Sequence, residues 1–362
     1  MLNKFSTVNL KLSFNFLKKK KILFLNCQDI KNYCSYYKKD LIFINLREVN
    51  IFVLIKSLIQ FIFDRKKNFK ELYLNCLIKK ISPEIIVQND LNIINYNFKN
   101  NFPNIYHVIY QFGLIRNKKK YLYLKEIVNC DLFLSSSRQD INIQKIFFKS
   151  KFIPFGFARS NLVKKISKKE KIISFVSEYY RTKPKKEKNY EAKLLKSLAK
   201  VCKLRNLSLF IIKRSNRKDK NLDTAEEINY FSNILGNEFK YGNSNPYNVG
   251  DRALINVSQN SNLGLEFVSR KNKTIIFSSR EFIKKKGFPL HINQKTPFFA
   301  YYSKNFNQIE KQILYILDLS NKKFIKDSKK YCKIENYKFC KNFPKFLLKL
   351  KKKHENSSYN SH

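Results

Sequence analysis

Residues 253–270, ALINVSQNSNLGLEFVSR, place an apolar run, a polar turn and a second apolar stretch in immediate succession. The run at 253–257 predicts a buried strand, and apolar residues at helical spacing over 263–270 predict a helix. Ser and Asn cap helix starts well, because their side chains accept hydrogen bonds from the free N–H groups. A buried strand followed directly by a capped helix is the repeating unit of a parallel α/β sheet.

The same alternation extends outward in both directions. In the second half of the chain, strands are predicted at 171–176, 207–213, 239–241 and 274–277, with helices at 189–204, 224–235 and 306–317. In the first half, strands are predicted at 21–26, 41–45, 84–88, 105–111, 131–135 and 151–154, with helices at 51–63, 69–81, 120–128 and 140–148. Such alternation predicts an α/β protein with parallel, doubly wound sheets.

A glycine and a cluster of basic residues interrupt the alternation at 155–169, which predicts a linker. The chain is also too long for one ordinary core. We therefore expect two Rossmann-like lobes with a cleft between them, over residues 1–160 and 161–322. Residues 323–352 are predicted to be basic helices and residues 353–362 a disordered tail.

The formal net charge of +46 has two interpretations. Lys, Asn, Ile, Phe and Tyr are all abundant and Trp is absent, which is typical of AT-biased coding that places lysine wherever a surface position accepts it. The alternative is an anionic partner. Because lysine greatly outnumbers arginine, a membrane surface or a phosphorylated substrate fits that alternative better than duplex DNA does.

The cysteines and apolar stretches bear on location. Seven cysteines without a CxxC pair favour a reducing compartment. Residues 49–63 are short for a membrane span and contain Lys56 and Gln60, so a buried helix is expected and an interfacial helix is the alternative. The N-terminal residues lack the pattern of a signal peptide. We expect a cytoplasmic protein whose lysines could hold it peripherally at the inner face of the membrane.

Several catalytic signatures are missing from the sequence. It contains no Walker A motif, GxGxxG, HExxH, G-x-S-x-G elbow or kinase signature set, and no DxD pair to hold a metal-bound nucleotide. Only His107 and His291 precede the C-terminal tail, which argues against a Ser-His-Asp triad. We expect no metal site and no cofactor.

The polar turn before the helix at 263–270 is the strongest candidate site. The free N–H groups and the dipole of a helix start suit an anion, and Gly264 would let a phosphate approach the backbone closely. Glu266 lies one turn further on, where its carboxylate could accept hydrogen bonds from ribose hydroxyls. A helix cap without a ligand is the alternative, although ligands of open α/β sheets do lie at the carboxyl ends of strands.

Residues 257–277, VSQNSNLGLEFVSRKNKTIIF, resemble the Ser-Thr-x-Gly-x-Glu passage of O-antigen and surface-carbohydrate biosynthesis proteins, which are GT-B-like transferases. Four further passages resemble that family in the same order. They are its helix followed by Lys-Pro-x-x-Val-Ile-Thr-x-x-Asp-Asn at 51–90, Ile-Gln-His/Asn-Gly at 106–113, Val-Pro-x-Gly at 153–156 and Ile-Ser-Gln-Tyr-Arg at 175–181. The sequence departs from the family at Asn262, where Thr is usual, and at Phe112, where a polar residue or His is usual.

The resemblance implies a metal-independent glycosyltransferase, with a polyol-phosphate transferase as the alternative. It has two partners, a nucleotide-sugar donor bound by the second lobe and a lipid-linked or glycan acceptor bound by the first. Donor contacts are then expected at Ser177, Arg181, Arg214, Ser258, Ser261, Asn262, Gly264 and Glu266. Gln111 and Gly113 are expected to shape the acceptor side. A solvated surface position is the alternative for Arg214.

Transfer to an acceptor hydroxyl needs a general base. Asp90 is the first candidate because it ends a lobe-one strand, and helix capping is its alternative role. His107 is the second candidate, and a core position is its alternative. Two other functions stay open: a catalytically degenerate scaffold protein of a glycan-assembly pathway, and an RNA-binding protein, although no ribonucleoprotein-type motif is present and nucleic acid is not the expected partner.

Overall fold

The computed structural model describes residues 11–359 except 35–38, 64–67, 92, 94–97, 114, 116–120, 125, 180–182, 214–223, 243–244, 280–282, 285–295, 297 and 302–304. It contains two six-stranded parallel sheets, one in each lobe. The predicted fold of two Rossmann-like, doubly wound lobes is confirmed.

Lobe one is built on a sheet with the strand order β3-β2-β5-β6-β7-β8. Its strands are β2 (Ile22–Leu25), β3 (Leu41–Ile44), β5 (Ile85–Asn89), β6 (Tyr106–Tyr110), β7 (Val128–Ser135) and β8 (Phe148–Pro154). Its helices are α1 (Gln28–Cys34), α2 (Ile51–Phe63), α3 (Phe69–Ile81), α4 (Phe98–Asn101), α5 (Arg138–Gln144) and α6 (Ala158–Asn161). A short β1 (Lys11–Ser13) pairs in parallel with β4 (Glu48–Asn50) beside this sheet.

Lobe two has the strand order β11-β10-β9-β12-β13-β14, which is the order of a dinucleotide-binding Rossmann sheet. Its strands are β9 (Ile172–Val176), β10 (Ser208–Ile212), β11 (Lys240–Gly242), β12 (Ile255–Ser258), β13 (Thr274–Ser278) and β14 (Phe299–Tyr301). Its helices are α7 (Lys185–Leu204), α8 (Thr224–Leu235), α9 (Pro246–Arg252), α10 (Asn262–Ser269), α11 (Phe306–Asp318) and α12 (Asn321–Tyr331).

The central strands are buried along their whole length, because helices cover both faces of each sheet. Every residue of β2, β5, β9 and β13 is buried. The last helix, α13 (Phe343–Tyr359), returns to lobe one and inserts Phe343 and Leu347 into its core. The chain therefore joins the lobes twice, at residues 155–169 and again before α13.

Four expectations differ from the structure. Over the described residues of 120–128 the predicted helix is not formed, because the Leu124 N–H donates to the Tyr121 carbonyl (2.9 Å) in a turn and β7 begins at Val128. Residues 155–169 are not a free linker but contain α6 and bind both lobes. Helix α13 continues to Tyr359, into the segment predicted as a tail. Helix α2, predicted to be buried, is largely exposed, because Val53 and Ser57 are its only buried residues.

Among the described residues, no helix combines the length and the apolar character that crossing a membrane requires.

Candidate functional site

Each sheet has a switch point, where strand order reverses and the carboxyl ends of two neighbouring strands leave a crevice. In lobe two it lies between β9 and β12, which both end in serine-containing loops. In lobe one it lies between β2 and β5, whose ends are tied by a hydrogen bond from Asn89 Nδ2 to the Asn26 carbonyl (3.2 Å). Open α/β sheets bind ligands at such points, so these two crevices define the candidate site.

Helix α10 begins at the lobe-two switch point. Ser261 is its N-cap, and the Ser261 Oγ accepts a hydrogen bond from the Leu263 N–H (3.3 Å). Gly264 lies against β12, where an added Cβ would be 2.7 Å from the Cβ of Ser258. The glycine thus allows close packing of helix on strand, a role that the sequence analysis did not consider. Ser258 Oγ is buried without a hydrogen-bond partner.

The start of α10 faces lobe one at very short range. A Cβ built on Gly113 would lie 2.9 Å from the Asn262 Nδ2. The predicted acceptor-side glycine and the predicted donor-side asparagine are therefore neighbours across the cleft. A Cβ at position 113 would require the side-chain amide of Asn262 to move.

Glu266 is fully buried and bonded through both carboxylate oxygens. Oε1 accepts from Arg159 Nη2 (2.7 Å), and Oε2 accepts from the Tyr247 hydroxyl. Burial by itself lowers the pKa of Arg159, but the charges of Glu266, Tyr247 and Asp29 and the hydrogen bond to Glu266 together outweigh it, and the pKa is raised. Burial and then the same carboxylate hold the pKa of Tyr247 well above its usual value, so its hydroxyl stays a donor. The ribose role predicted for Glu266 stays a prediction.

Arg159 was missed by the sequence analysis, although it lies three residues after the Val-Pro-x-Gly-like passage. It lies on α6 and stacks its guanidinium on the Phe112 ring, 5.1 Å from the centroid. Phe112, the departure from the family pattern, therefore supports the arginine that pairs with Glu266. This stack and ion pair connect the end of β6 to α10.

Lys183 is a second missed residue, and it lies at the lobe-two switch point. Its Nζ donates to the Glu191 carboxylate (2.8 Å) and to Gln259 Oε1 (3.1 Å), where Gln259 follows β12. Lys183 and Glu191 are both buried. No motif marked Lys183, because its importance comes from where the loop after β9 folds.

Ser177, at the end of β9, is engaged within lobe two. Its hydroxyl donates to the Glu227 carboxylate and accepts from the Tyr179 N–H (3.2 Å). Arg181 and Arg214, which were predicted to reach the diphosphate, lie outside the described residues.

Asp90 and Gln111 are bonded within lobe one. Asp90 accepts hydrogen bonds from the Phe112 N–H (2.9 Å) and the Tyr121 hydroxyl (2.6 Å), and it is fully buried. Gln111 donates to the Gly113 carbonyl (2.8 Å) and to Asp140 (2.6 Å). Both side chains hold the loop that presents Gly113.

His107 lies inside lobe one, on β6, with 2% of its surface exposed. Its ring packs edge-on against Phe98, and neither ring nitrogen has a hydrogen-bond partner. Burial lowers the pKa of His107 to about 4, so the ring is neutral at physiological pH. Its surroundings are those of a core residue.

Asp29 is the half-buried carboxylate at the lobe-one switch point, and the sequence analysis missed it. It lies in the first turn of α1, and its Oδ1 accepts from the Tyr110 hydroxyl (2.7 Å). It is close enough to Arg159 to raise the pKa of that guanidinium. The only sequence signal was its position four residues after an apolar strand. Within the described part of the chain, no cluster of His, Cys, Asp or Glu could hold a metal ion.

Comparison with known proteins gives a family and a fold. A family model described as "putative O-antigen biosynthesis protein" matches residues 108–354. No curated protein matches the chain. A histidine-to-alanine variant of the wall teichoic acid polymerase TagF superposes with a TM-score of 0.51 at 14% identity, covering 90% of this chain and 87% of that one.

The UDP-GlcNAc 2-epimerase from Neisseria meningitidis, solved with UDP-GlcNAc, superposes with a TM-score of 0.50 at 8% identity, covering 93% of this chain and 100% of that one. At such low identity these likenesses show the fold alone. The fold of this chain is GT-B, as the resemblance implied.

Proposed function

This chain belongs to the O-antigen biosynthesis protein family, and on that premise we propose that it is a metal-independent glycosyltransferase of surface polysaccharide (lipopolysaccharide) synthesis. It transfers a sugar from a nucleotide donor to a lipid-linked or glycan acceptor at the inner face of the membrane. The observation that carries the proposal is the approach of Gly113 to Asn262, because the start of α10 then lies next to lobe one, where the acceptor is proposed to bind.

The proposed donor site is the switch point of lobe two. The diphosphate lies on the free N–H groups at the start of α10, next to Ser258, Ser261, Asn262 and Gly264. Lys183, together with Arg181, supplies positive charge for the leaving diphosphate, which is the role a metal fills elsewhere. Glu266 takes the ribose once Arg159 releases one of its oxygens. Support comes from the Rossmann strand order and from the neighbour solved with UDP-GlcNAc.

The proposed base is Asp29. Asp90 and His107 are less suitable, because one is bonded to buried partners and the other is enclosed in the core. Asp29 is half-buried at the lobe-one switch point, across from α10. Its carboxylate would take the proton of the acceptor hydroxyl as the sugar leaves the diphosphate.

Turnover of a panel of sugar nucleotides, measured as release of the nucleoside diphosphate, tests this proposal. We expect turnover of at least one donor, and Asp29→Asn should lower its rate by about 10²–10⁴-fold while leaving donor binding unchanged, because only proton transfer is lost. Asp40→Asn is the matched control, since this exposed aspartate pairs only loosely with Lys21 (3.9 Å). Equal rates for wild type and Asp29→Asn would rule out Asp29 as the base.

A catalytically degenerate scaffold is the second candidate function. It is favoured by the bonding of Glu266, whose two oxygens are both used by Arg159 and Tyr247. Under this alternative the chain binds a nucleotide sugar and releases no product from any member of the panel.

A further inference from the structure

An exposed apolar surface covers helix α2 and the arm that precedes β2. Nine large apolar side chains form it, each between 44% and 86% exposed: Leu12, Phe14, Phe16, Phe52, Ile55, Leu58, Ile59, Ile62 and Phe63. We call this set the α2 face. Monomeric soluble proteins rarely expose so many large apolar groups side by side, and such patches mark interaction sites.

The geometry of the two segments makes the α2 face continuous. Leu12 lies in β1, and Phe14 and Phe16 follow it in the arm, all three exposed. The rings of Phe16 and Phe52 stack with centroids 4.6 Å apart, and Asn50 Nδ2 donates to the Asn15 carbonyl (2.7 Å). The arm is thereby fixed beside the start of α2.

The opposite side of α2 explains why the helix is ordered although its apolar face is exposed. Val53 and Ser57 are buried against lobe one, and the Ser57 hydroxyl donates to the Val53 carbonyl (2.6 Å). Phe61 packs edge-on against Phe69 of α3. Helix α2 is thus held by its inner side, and its outer side is left apolar.

Basic residues surround the α2 face. Lys11 precedes Leu12, Lys18 and Lys19 follow Phe16, and Lys56 lies within α2. The Arg47 carbonyl accepts a hydrogen bond from the Lys11 N–H (2.9 Å), and Lys70 lies in the first turn of α3. Among the described residues around this face, these six exposed cations are accompanied by two exposed acids, Glu48 and Glu71. An apolar centre with a cationic rim is complementary to the surface of an anionic bilayer.

We propose that the α2 face is the surface by which this protein docks on an anionic membrane. The apolar side chains insert among the acyl chains near the headgroups, and the rim lysines contact acidic headgroups. The face starts near the cleft, because only six residues, including β4, separate α2 from the end of β3, where the Ile44 carbonyl accepts from the Asn26 N–H at the lobe-one switch point (2.8 Å). A docked protein would therefore present its acceptor crevice toward the bilayer, where a lipid-linked acceptor resides. This inference rests on the proposed membrane acceptor and assigns it a surface.

Co-sedimentation of the full chain with vesicles tests the proposal. Wild type should bind vesicles of phosphatidylcholine with phosphatidylglycerol, and pure phosphatidylcholine more weakly. The variant Ile55→Ser/Ile59→Ser/Ile62→Ser should bind the anionic vesicles at least about tenfold more weakly, because it loses apolar insertion. The matched control is Leu122→Ser/Ile127→Ser/Ile146→Ser, which changes equally exposed apolar residues outside the α2 face.

Three outcomes would overturn the proposal: absence of vesicle binding by the wild type, equal binding by the α2 variant, or equal loss in the control. A wild type that dimerises without binding vesicles, while the α2 variant is monomeric, would make the α2 face an interface between copies instead. Vesicle binding needs no nucleotide, so a failure here is distinct from a failure of donor binding or turnover.

Discussion

Replacing Arg270 with alanine is expected to lower the free energy of unfolding by about 3–5 kcal/mol, because it leaves a buried carboxylate without its counter-ion. Arg270 is fully buried and bonds Asp251 through Nε (2.9 Å) and Nη2 (2.5 Å). Its Nη1 donates to the carbonyls of Ser160 (2.8 Å) and Val163 (3.1 Å), in the segment that joins the lobes. The same side chain therefore neutralises Asp251 and holds the connection between the lobes.

Denaturant unfolding measures this loss, and Arg205→Ala is its matched control. Arg205 also bonds an aspartate, Asp318 (2.6 Å), but both side chains are about half exposed. Exposed pairs contribute only about 0–1 kcal/mol, so this variant should be nearly neutral. If Arg270→Ala were as stable as Arg205→Ala, Arg270 would not hold the lobes together.

The folded protein is expected to lose stability at acid pH partly because His107 is buried in its neutral form. Replacing His107 with leucine should remove this part of the loss. Burial lowers the pKa of His107 from 6.5 to about 4, so the folded protein binds the proton more weakly than the unfolded chain does. The contribution of the neutral ring is complete above pH 6.5 and is lost as the pH falls through 4. The difference amounts to about 3 kcal/mol.

Urea unfolding at pH 7.5 and pH 4.5 measures this effect. The stability of His107→Leu, relative to wild type, should rise by about 2–3 kcal/mol between the two pH values. At pH 7.5 the variant should unfold no more easily than wild type, since both ring nitrogens lack hydrogen-bond partners. His354→Leu is the control, because His354 is half-buried on α13 and packs on Tyr106. An unchanged pH dependence in His107→Leu would show that His107 is not buried as described.

The sequence predicted the fold well where the physical signal is local. The bounds predicted for α2, α3 and α8 agree with the structure, since apolar spacing and end signals lie within the segment itself. Helix α9 was missed although Asn245-Pro246 is a helix-start signal. The helix has only 7 residues, which is too short to show a clear apolar period. The prediction of a helix at 120–128 was wrong because the Tyr121 hydroxyl is bonded to Asp90. These two residues are 31 positions apart in the chain, so no local sequence pattern contains this contact.

Only the part of the candidate site that consists of neighbouring residues in the sequence, the start of α10, could be predicted. The start of α10 is visible in Ser261 and Asn262, because capping chemistry is a property of neighbouring residues. Arg159, Lys183 and Asp29 acquire their positions from the meeting of two lobes or of two strand ends. The apolar stretch at 51–63 predicted the right helix, but which of its sides is buried depends on the lobe-one core that Val53 packs against.

The most direct test of the donor site is nucleotide binding by the variant Asn262→Asp, read as a thermal shift with UDP and CDP. A carboxylate in the first turn favours the helix dipole, so the variant should fold at least as stably as wild type, yet it should repel a diphosphate. Asn321→Asp is the matched control, because Ser320-Asn321 begins α12 as Ser261-Asn262 begins α10. We predict that wild type and Asn321→Asp are stabilised by a nucleoside diphosphate and that Asn262→Asp binds it at least about tenfold more weakly. Equal stabilisation of all three proteins, or of none, would contradict a donor diphosphate at the start of α10.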